Sequence, residues 1–348
     1  MSASASQGRD ARRGRLKELM ERRGLAALLL RRPANFAWYT GGADSRVDHV
    51  APAGVADLVL TADHQWVLTS TIEAPRMRTE QTPELEVVEY PWYEGPAAAM
   101  RELTGGGPLG ADLTLDGEAD VSEDVARLRR VLDPDAVERL RSVGRDASTA
   151  MAEAAAAVEP GIDEHEAAAN LTAACRSRGL SASVLLAAAD ERIALHRHPV
   201  PVGARIERRA MLVASAERGG LYANLTRIVE LEEPDAELAR RTAACEEVLR
   251  RMREEATRPG RTLAGAFADC RHFYAEAGYP DEWKLHHQGG LTGYASREII
   301  ATPETEHVIG PGQAFAWNPS VTGSKAEETF VLTESGPEVI AAGKLAVA

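Results

Sequence analysis

The order of helical and strand patterns in the second part of the chain constrains its fold more than any other feature. From Asp133 onward, a pair of helical patterns is followed by strand patterns, and a second helical pair is again followed by strands. Apolar residues recur at helical spacing in the first kind of segment and alternate or run continuously in the second. The order indicates an internal duplication by pattern, without an evident sequence repeat, and hence an α+β fold.

Local signals define several ends of these segments. Asp133 before Pro134 predicts a side-chain cap and a proline in the first turn of a long helix, and Gly179 predicts the end of the next helix. The predicted helices cover 133–159, 163–178, 234–257 and 264–277, and the predicted strands cover 183–188, 210–216, 221–231, 286–298, 313–321 and 327–333.

The first 125 residues have a different pattern, in which short apolar runs alternate with helices. A helical pattern that stops at Gly24 is followed by the apolar run 25–30, and further strands are predicted at 57–61, 66–71 and 85–90. Helices at 73–80 and 96–104 complete a small α/β domain. A Gly/Pro-rich passage and a charged helix at 121–132 follow, so we predict two domains, 1–125 and 126–348.

Composition excludes several classes of protein. The 348 residues carry a formal charge of −13, and such a surface repels the phosphates of nucleic acids. The apolar runs fall far short of the ~20 residues that span a bilayer, so no membrane partner is expected. Without a signal-like N-terminus, and with cysteines that form no CxxC pair, the sequence predicts a cytoplasmic protein with reduced thiols.

Polar side chains gather at three places on the β-rich segments. His196 and His198 lie between two predicted strands, where a surface turn is the plain alternative to a general base. His286 and His287 open a stretch with three glycines, and adjacent residues of a strand point to opposite faces, so at most one should enter a given pocket. At 327–328 two glutamates open a strand, and one of them should face inward. The sequence contains none of the common nucleotide-loop, zinc-protease or serine-hydrolase motifs.

These clusters, in this order and with these helix pairs between them, resemble the creatinase/Xaa-Pro aminopeptidase/methionine aminopeptidase superfamily of "pita-bread" proteins. The segments 15–20, 24–30 and 33–41 look like the start of its creatinase/prolidase-like N-terminal domain, and 159–166 looks like the turn after the first long helix of its catalytic domain. The resemblance implies a small N-terminal α/β domain and a C-terminal pita-bread domain with duplicated helix-helix-strand halves.

Metal-using members supply two Asp, one His and two Glu to a dinuclear site, and this sequence departs from that set. The first Asp falls near Ala214 or Ser215. The other positions fall, by motif, on Asn224, Gly290, Asn318 and Glu327. One carboxylate with an amide lacks the charge that offsets the desolvation of a pair of divalent ions. We therefore predict no catalytic metal and no cofactor.

Among the superfamily, the pattern is most similar to metal-independent creatinase. The resemblance makes His198 the catalytic histidine, with His196 as fallback, and places Glu298 and Glu327 beside the substrate. It implies a hydrolase that cleaves an amidine, amide or peptide-like C–N bond of a small polar molecule derived from an amino acid. Its implied substrate-binding residues are His196, Tyr222, Asn224, Arg227, His286, His287, Tyr294, Arg297 and Asn318. Thr226 and Asn318 replace glutamates of creatinase, so creatine itself is a doubtful substrate.

By the same resemblance, the protein is a homodimer in which the N-terminal domain of one subunit closes the pocket of the other. Tyr39, Asp44 and Arg46 are the candidates for that contact. Arg227 has a second interpretation, as a structural partner of Glu230 or Glu327.

Three alternatives remain open at this point. The first is a metal-dependent Xaa-Pro aminopeptidase or dipeptidase with surrogate ligands such as His198, His287 and Glu327. The second is a non-catalytic binding homologue that kept the pocket. The third is a lyase-type biosynthetic enzyme that uses the same pocket.

Overall fold

The computed structural model of this protein describes residues 3–115 and 117–343. The chain folds as two compact units, and the division falls between Arg129 and Arg130. We call them the N-terminal unit and the C-terminal unit and describe each by itself. In the described residues, no helix is long and apolar enough to cross a membrane.

The N-terminal unit is an α/β unit around a mixed sheet. Its helices are α1 (Ala3–Arg23), α2 (Pro33–Thr40), α3 (Ala74–Arg76) with a π-helical continuation (Met77–Gln81), α4 (Ala97–Thr104) and α5 (Ser122–Arg129). Its strands are β1 (Ala27–Leu30), β2 (Ala56–Thr61), β3 (Gln65–Ser70), β4 (Glu86–Tyr90), β5 (Leu109–Ala111) and β6 (Ala119–Asp120).

The strand order in this sheet is β4-β3-β2-β1-β5-β6. The strands β1, β2 and β3 are antiparallel neighbours, whereas β4, β5 and β6 each join in parallel. Leu29, Val59 and Leu68 from the central strands pack with Met100 of α4. Buried aliphatic side chains from neighbouring strands thus form the core of the unit.

The first half of the C-terminal unit packs two helices on an antiparallel sheet. They are α6 (Pro134–Ala156), α7 (Glu164–Arg176), β7 (Ser181–Ala189), the short α8 (Arg192–Leu195), β8 (Arg209–Arg218) and β9 (Leu221–Glu230). Asp133 caps α6 as predicted, since its side chain accepts a hydrogen bond from the Ala136 N–H. The small residues of α6, such as Ala147 and Ala154, let the helix pack closely on the β8–β9 hairpin.

The second half repeats this order. It contains α9 (Ala236–Arg251) with a π-helical end (Met252–Ala256), α10 (Leu263–Glu276), a 3₁₀ turn (Glu282–Leu285), β10 (Gly289–Thr292), β11 (Ile299–Ile300), β12 (Ala314–Trp317), β13 (Ser320–Val321), β14 (Ser324–Lys325), β15 (Glu328–Thr333) and β16 (Gly336–Ala342). The strand order in the main sheet is β11-β10-β12-β15-β16, with β13 and β14 as a separate pair. The predicted α+β architecture with duplicated helix-helix-strand halves is confirmed.

Two predicted strands differ in their extent: the one over 313–321 is divided into β12 and β13, and the one over 286–298 is much shorter than predicted. The single strand expected over 286–298 is instead the four-residue β10, preceded by an extended connection and followed by a turn into β11. Gly289, Gly290 and Gly293 adopt φ of 94°, 149° and 156°, in the region that favours glycine. These conformations bend the chain on both sides of β10, and His286 and His287 therefore precede the strand.

Candidate active site

Three histidines from two distant parts of the C-terminal unit come together and form what we call the histidine cluster: His198, His286 and His287. His198 lies in the loop after α8, and the other two connect the 3₁₀ turn to β10. The Nε2 atoms of His198 and His286 are 3.0 Å apart. One nitrogen from each of the three rings lies within 4.8 Å of the others.

The expectation that at most one of the adjacent histidines enters the pocket is wrong. The rings of His286 and His287 stack with centroids 4.5 Å apart, and His198 contacts both. Strict alternation holds inside a strand, but these residues lie in the connection before β10, where the backbone is free to turn both rings to one side. Both histidines therefore belong to the site.

The cluster consists of neutral imidazoles near neutral pH. Burial, followed by the nearby Lys325, lowers the pKa of His286 to about 2. Burial and Arg297 lower the pKa of His287 to about 4, and burial also lowers the pKa of His198. A neutral imidazole has one nitrogen that can accept a proton or bind an ion.

Glu327 lies near this cluster and is held by cationic partners. It is 6% exposed, and its carboxylate pairs with Arg297 Nη2 at 2.8 Å and Lys325 Nζ at 3.0 Å, while Thr226 Oγ1 donates at 2.7 Å. Burial alone would raise the pKa of this carboxyl, but Lys325 and Arg297 outweigh it and lower the value to about 2. Glu327 is thus a carboxylate at every physiological pH.

The neighbouring Glu328 points elsewhere, as strand alternation predicts. Its carboxylate pairs with Arg253 Nη1 at 2.6 Å. Burial raises the pKa of Glu328, and its single close cation compensates only in part. Of the two acids that open this strand, Glu327 is the one at the site.

The β8–β9 hairpin pairs Ser215, one of the two candidates for the first Asp position, with Asn224. Ser215 Oγ donates to Asn224 Oδ1 at 2.6 Å. The Asn224 amide nitrogen donates to Thr292 Oγ1 at 3.2 Å and to the Ser296 carbonyl at 3.4 Å. Both side chains are neutral and are engaged in hydrogen bonds with their neighbours.

Gly290 and Asn318 are the residues that the resemblance places at the positions of the family histidine and of one family glutamate. A Cβ atom on Gly290 would lie 2.3 Å from the Ile299 carbonyl oxygen, so the backbone leaves no room for a side chain there. Asn318 is 2% exposed, and its Oδ1 has no hydrogen-bond partner among the described residues. Ser215, Asn224, Gly290 and Asn318 together with an already paired Glu327 do not fit the five-ligand dinuclear centre that the resemblance implies.

Several buried polar atoms at this end of the sheet lack partners within the part of the chain that the structure describes. Besides Asn318 Oδ1, they are His286 Nδ1, Arg297 Nε and Ser320 Oγ. Buried polar groups in folded proteins nearly always have hydrogen bonds, to a bound molecule where not to the protein. Arg297 pairs with Glu327 and His286 belongs to the histidine cluster, so their unpartnered atoms are available to a molecule bound there.

Two predicted substrate-binding residues, Tyr294 and Arg227, have hydrogen-bond partners within the protein. Tyr294 is buried, and its hydroxyl accepts a hydrogen bond from Arg139 Nη2 of α6 at 2.8 Å. Arg227 donates to the Gly343 carbonyl at 3.0 Å and lines a cavity of about 320 Å³ that Thr226, Lys325 and Glu327 also line, although no member of the histidine cluster does. The alternative partners Glu230 and Glu327 are not its recorded contacts. On β9, Arg227 directly follows Thr226, whose hydroxyl donates to Glu327. Because Arg227 shares a cavity with Lys325 and Glu327, its contact with the substrate stays a prediction.

The remaining predicted site residues of the C-terminal unit are His196, Tyr222 and Glu298, and they differ in exposure. The side chain of His196 is exposed, and the structure records no contact between it and the histidine cluster. Tyr222 is half-buried, and its N–H donates to the Gly293 carbonyl at 2.9 Å. Glu298 is half-buried at the entrance to β11, and its N–H donates to the Leu291 carbonyl at 2.8 Å. Substrate contacts of Tyr222 and Glu298 stay predictions.

The candidates in the N-terminal unit have partners within that unit. Arg46 Nε pairs with Asp44 Oδ1 at 2.8 Å. Tyr39 is fully buried, its hydroxyl contacts Gln65 Oε1, and burial raises its pKa to about 12. The interpretation of Tyr39 as a residue that reaches another subunit is therefore wrong, whereas Arg46 and Asp44 are half-buried and keep that prediction.

Lys325 is the site residue that sequence reasoning missed. It stands two positions before Glu327, so strand alternation places it on the same side, and it is 7% exposed. The signal was available in the run 325–328, because a lysine two residues from an inward glutamate is the partner that a buried carboxylate needs.

The fold and two family models define a protein of the creatinase/aminopeptidase P superfamily. The family model of the creatinase/prolidase N-terminal domain matches residues 12–148, and that of metallopeptidase family M24 matches residues 138–334. The second match covers more than half of the chain, so the chain belongs to metallopeptidase family M24.

Individual relatives agree with this family. A probable dipeptidase PepE from Mycobacterium bovis is 24% identical over 300 residues, which are 78% of each chain. The prolidase from Pyrococcus horikoshii OT3 superposes with a TM-score of 0.81 at 18% identity and covers 97% of this chain and 100% of its own. Dipeptidase PepE from Mycobacterium ulcerans has a TM-score of 0.77 at 20% identity, with 96% of both chains covered.

The predicted superfamily and the prediction of a hydrolase are thus confirmed. A particular closeness to creatinase is not. The family and the names of the relatives favour the metal-dependent peptidase that the sequence analysis kept as an alternative over the metal-independent hydrolase that it put first.

Proposed function

We propose that this protein hydrolyses a peptide or peptide-like C–N bond in a substrate of about dipeptide size, without the five-ligand dinuclear centre. The relatives named dipeptidase, prolidase and X-Pro aminopeptidase support the class of bond. The observation that carries the proposal is the close pair of neutral imidazoles, His198 and His286, near the Arg297–Glu327–Lys325 ion cluster.

His198 is the proton-transfer group in this proposal. It is the most exposed member of the histidine cluster, so water and substrate can reach its ring. Its lowered pKa keeps it unprotonated, and an unprotonated Nε2 can accept the proton of an attacking water. His286 is buried, and its Nε2 lies 3.0 Å from the Nε2 of His198, so it fixes the orientation of the His198 ring.

Arg297 is the group that we propose for binding the substrate. Its Nη2 is occupied by Glu327, but its buried Nε has no partner among the described residues. A guanidinium binds carboxylates through several N–H groups, and the terminal carboxylate of a dipeptide is a fitting ligand.

The test compares two histidines that are two residues apart. Chelator-treated protein is assayed against a panel of dipeptides, including Xaa-Pro dipeptides, by release of free amino acid. His198→Ala should lower kcat by about 10²–10⁴-fold, as expected for loss of a general base. His196→Ala is the matched control and should leave kcat unchanged. Equal activity in the two variants would remove His198 from the mechanism.

A metal-dependent peptidase is the second candidate, and one observation favours it. The nitrogens of the histidine cluster lie close enough to share one ion, although this set differs from the surrogate ligands His198, His287 and Glu327. Elemental analysis of protein purified without chelator decides between the two. One Zn, Mn, Co or Fe per chain, with activity lost on chelation and restored by the ion, would establish the metal-dependent enzyme.

We also propose a homodimer and a cytoplasmic location. Arg46 and Asp44, which are half-buried on the N-terminal unit, are the candidates for closing the site of the other subunit. Analytical ultracentrifugation should give twice the chain mass, and Arg46→Ala should raise KM. A monomeric, fully active protein would contradict this arrangement.

A further inference from the structure

We propose that Lys325 is the fixed cation of this site: its ammonium takes the place of bound metal ions and polarises the carbonyl of the scissile bond. The inference rests on the proposed hydrolysis for its chemical step, but its charge argument can be tested without any substrate. Nothing in the metal-ligand pattern of the superfamily predicts a lysine here.

The rarity of lysine in this chain makes its position informative. Only four of the 40 basic residues are lysines, at positions 17, 284, 325 and 344. Lys17 is half-buried and Lys284 is exposed, whereas Lys325 is 7% exposed. The chain uses arginine for nearly every ion pair, yet it has a lysine beside Glu327. A lysine ammonium is a compact point charge with rotatable donors, which resembles a bound ion more closely than a planar guanidinium does.

The contacts of Lys325 leave part of its ammonium available. Its Nζ lies 3.0 Å from Glu327 Oε2, while Arg297 occupies Oε1 of the same carboxylate. An ammonium has three N–H groups, and the described residues provide no second recorded acceptor for it. The lysine is thus anchored by one partner and can donate a further hydrogen bond to an incoming oxygen.

The surroundings of Lys325 offer further unmatched polar groups. Ser320 is its direct cross-strand partner in the β13–β14 pair, and Ser320 Oγ is buried without a partner among the described residues. Asn318 Oδ1, two residues earlier, is in the same condition. A molecule with hydrogen-bond donors as well as a carbonyl oxygen would satisfy these acceptors and the lysine together, as an amide does.

The chemical step balances without any further reactant. The water oxygen bonds to the carbonyl carbon, and His198 takes one proton of that water. The carbonyl oxygen gains negative charge and is stabilised by the N–H groups of Lys325. The C–N bond then breaks, and His198 returns its proton to the leaving nitrogen.

The same charge disfavours a bound dication. Lys325 and Arg297 contribute two positive charges near Glu327, which contributes one negative charge. A divalent ion placed at the histidine cluster would be repelled by this excess. Removing the lysine charge should therefore make the site more receptive to a metal ion, and a neutral side chain of similar length is the appropriate replacement.

The experiment uses chelator-stripped full-length protein and three variants. Lys325→Met removes the charge, Lys325→Arg keeps it, and Lys284→Met is the matched control at an exposed lysine that pairs with Asp281. Zn²⁺ and Mn²⁺ are titrated by calorimetry. We expect the Lys325→Met protein to bind these ions at least about tenfold more tightly than the wild-type protein does, because one nearby positive charge is lost. Lys325→Arg and Lys284→Met should bind as wild type does.

Wild-type protein that binds either ion as tightly as Lys325→Met would overturn the proposal. If Lys325→Met does not fold, Lys325→Arg decides, because tighter metal binding with the charge retained would contradict the electrostatic cause. With a dipeptide that is turned over, Lys325→Met should lower kcat about 10²–10³-fold with KM nearly unchanged, as for loss of an oxyanion donor. Lys325→Arg should recover part of that loss. If no dipeptide is turned over, the proposed hydrolysis fails, but the metal titration still decides the role of the charge.

Discussion

Each unit of the molecule contains a buried ion cluster, and the two clusters have opposite charge balance. In the N-terminal unit, one cation, Arg31, contacts Asp57 at 3.3 Å and Glu118 at 2.7 Å. In the C-terminal unit, one carboxylate, Glu327, contacts two cations. Burial raises the pKa of Asp57 to about 6, whereas the cations around Glu327 lower its pKa to about 2. Burial acts in the same direction on both carboxyl groups: it prevails at Asp57, whose single close cation is shared with Glu118, and it is outweighed at Glu327 by two cations.

The two clusters also differ in how completely their hydrogen bonds are satisfied. The Arg31 guanidinium has Asp57, Glu118 and the Leu113 carbonyl as partners, one for each nitrogen. Arg297 in the other cluster has a buried Nε without a partner among the described residues. A satisfied network stabilises a fold, whereas an incomplete one leaves groups for a ligand. This difference is why we place function at Glu327 and structure at Arg31.

The largest loss of unfolding free energy should come from removing the negative charge of Glu327, which lies between two cations in the C-terminal unit. Glu327→Gln leaves Lys325 and Arg297 buried without their carboxylate, and loss of one partner from a buried pair costs about 3–5 kcal/mol. Asp57→Asn should cost clearly less, because Arg31 keeps Glu118 and the Leu113 carbonyl. Urea unfolding at pH 7 compares the two. If the two variants lost equal unfolding free energy, the different charge balance of the two clusters would have no effect on stability.

Glu328→Gln is the neighbouring control. Glu328 is as buried as Glu327 but has one close cationic partner, Arg253, so its loss should destabilise less. It should also leave the activity unchanged, since Glu328 faces away from the site.

A smaller effect is expected in the pH dependence of stability. The folded-state pKa of Asp57 is raised to about 6, so its contribution to stability is complete below its unfolded pKa, near 4, and is lost as the pH rises through 6. Asp112 and Glu118 raise this pKa further, while Arg31 opposes the shift. Asp57→Asn should flatten the pH profile between 4 and 6 by on the order of 1 kcal/mol, after allowance for partial exposure. Urea unfolding at several pH values measures the slope, and an unchanged slope would assign it to another group.

The smallest effect concerns Tyr294. Its hydroxyl accepts one hydrogen bond from Arg139, so Tyr294→Phe should reduce stability by about 0.5–1.5 kcal/mol and leave kcat unchanged. Thermal unfolding and a dipeptide assay check the two parts. A loss of kcat in Tyr294→Phe without a loss of stability would indicate that Tyr294 contacts the substrate.

The sequence predicted the fold well because periodicity and caps are local. The Asp133 cap, the helix pairs and the inward position of Glu327 all follow from neighbouring residues. The site was harder, because it joins distant segments. Whether His196 or His198 approaches His286 depends on the loop after α8. Tyr294 matched a family position, but the turn after β10 directs it toward Arg139. Lys325 was missed because the family pattern directs attention to acids and histidines.

The backbone leaves no room for a histidine side chain at Gly290, where the resemblance places the family's histidine ligand. Its φ of 149° and the Ile299 carbonyl next to it exclude any side chain unless β11 moves. Changing Asn224 or Asn318 back to an acid is a single substitution with space already provided, but Gly290→His requires a shift of the neighbouring strand as well. An engineer who wished to rebuild the dinuclear centre would therefore have to redesign the β10–β11 pairing first, and only then replace individual ligands.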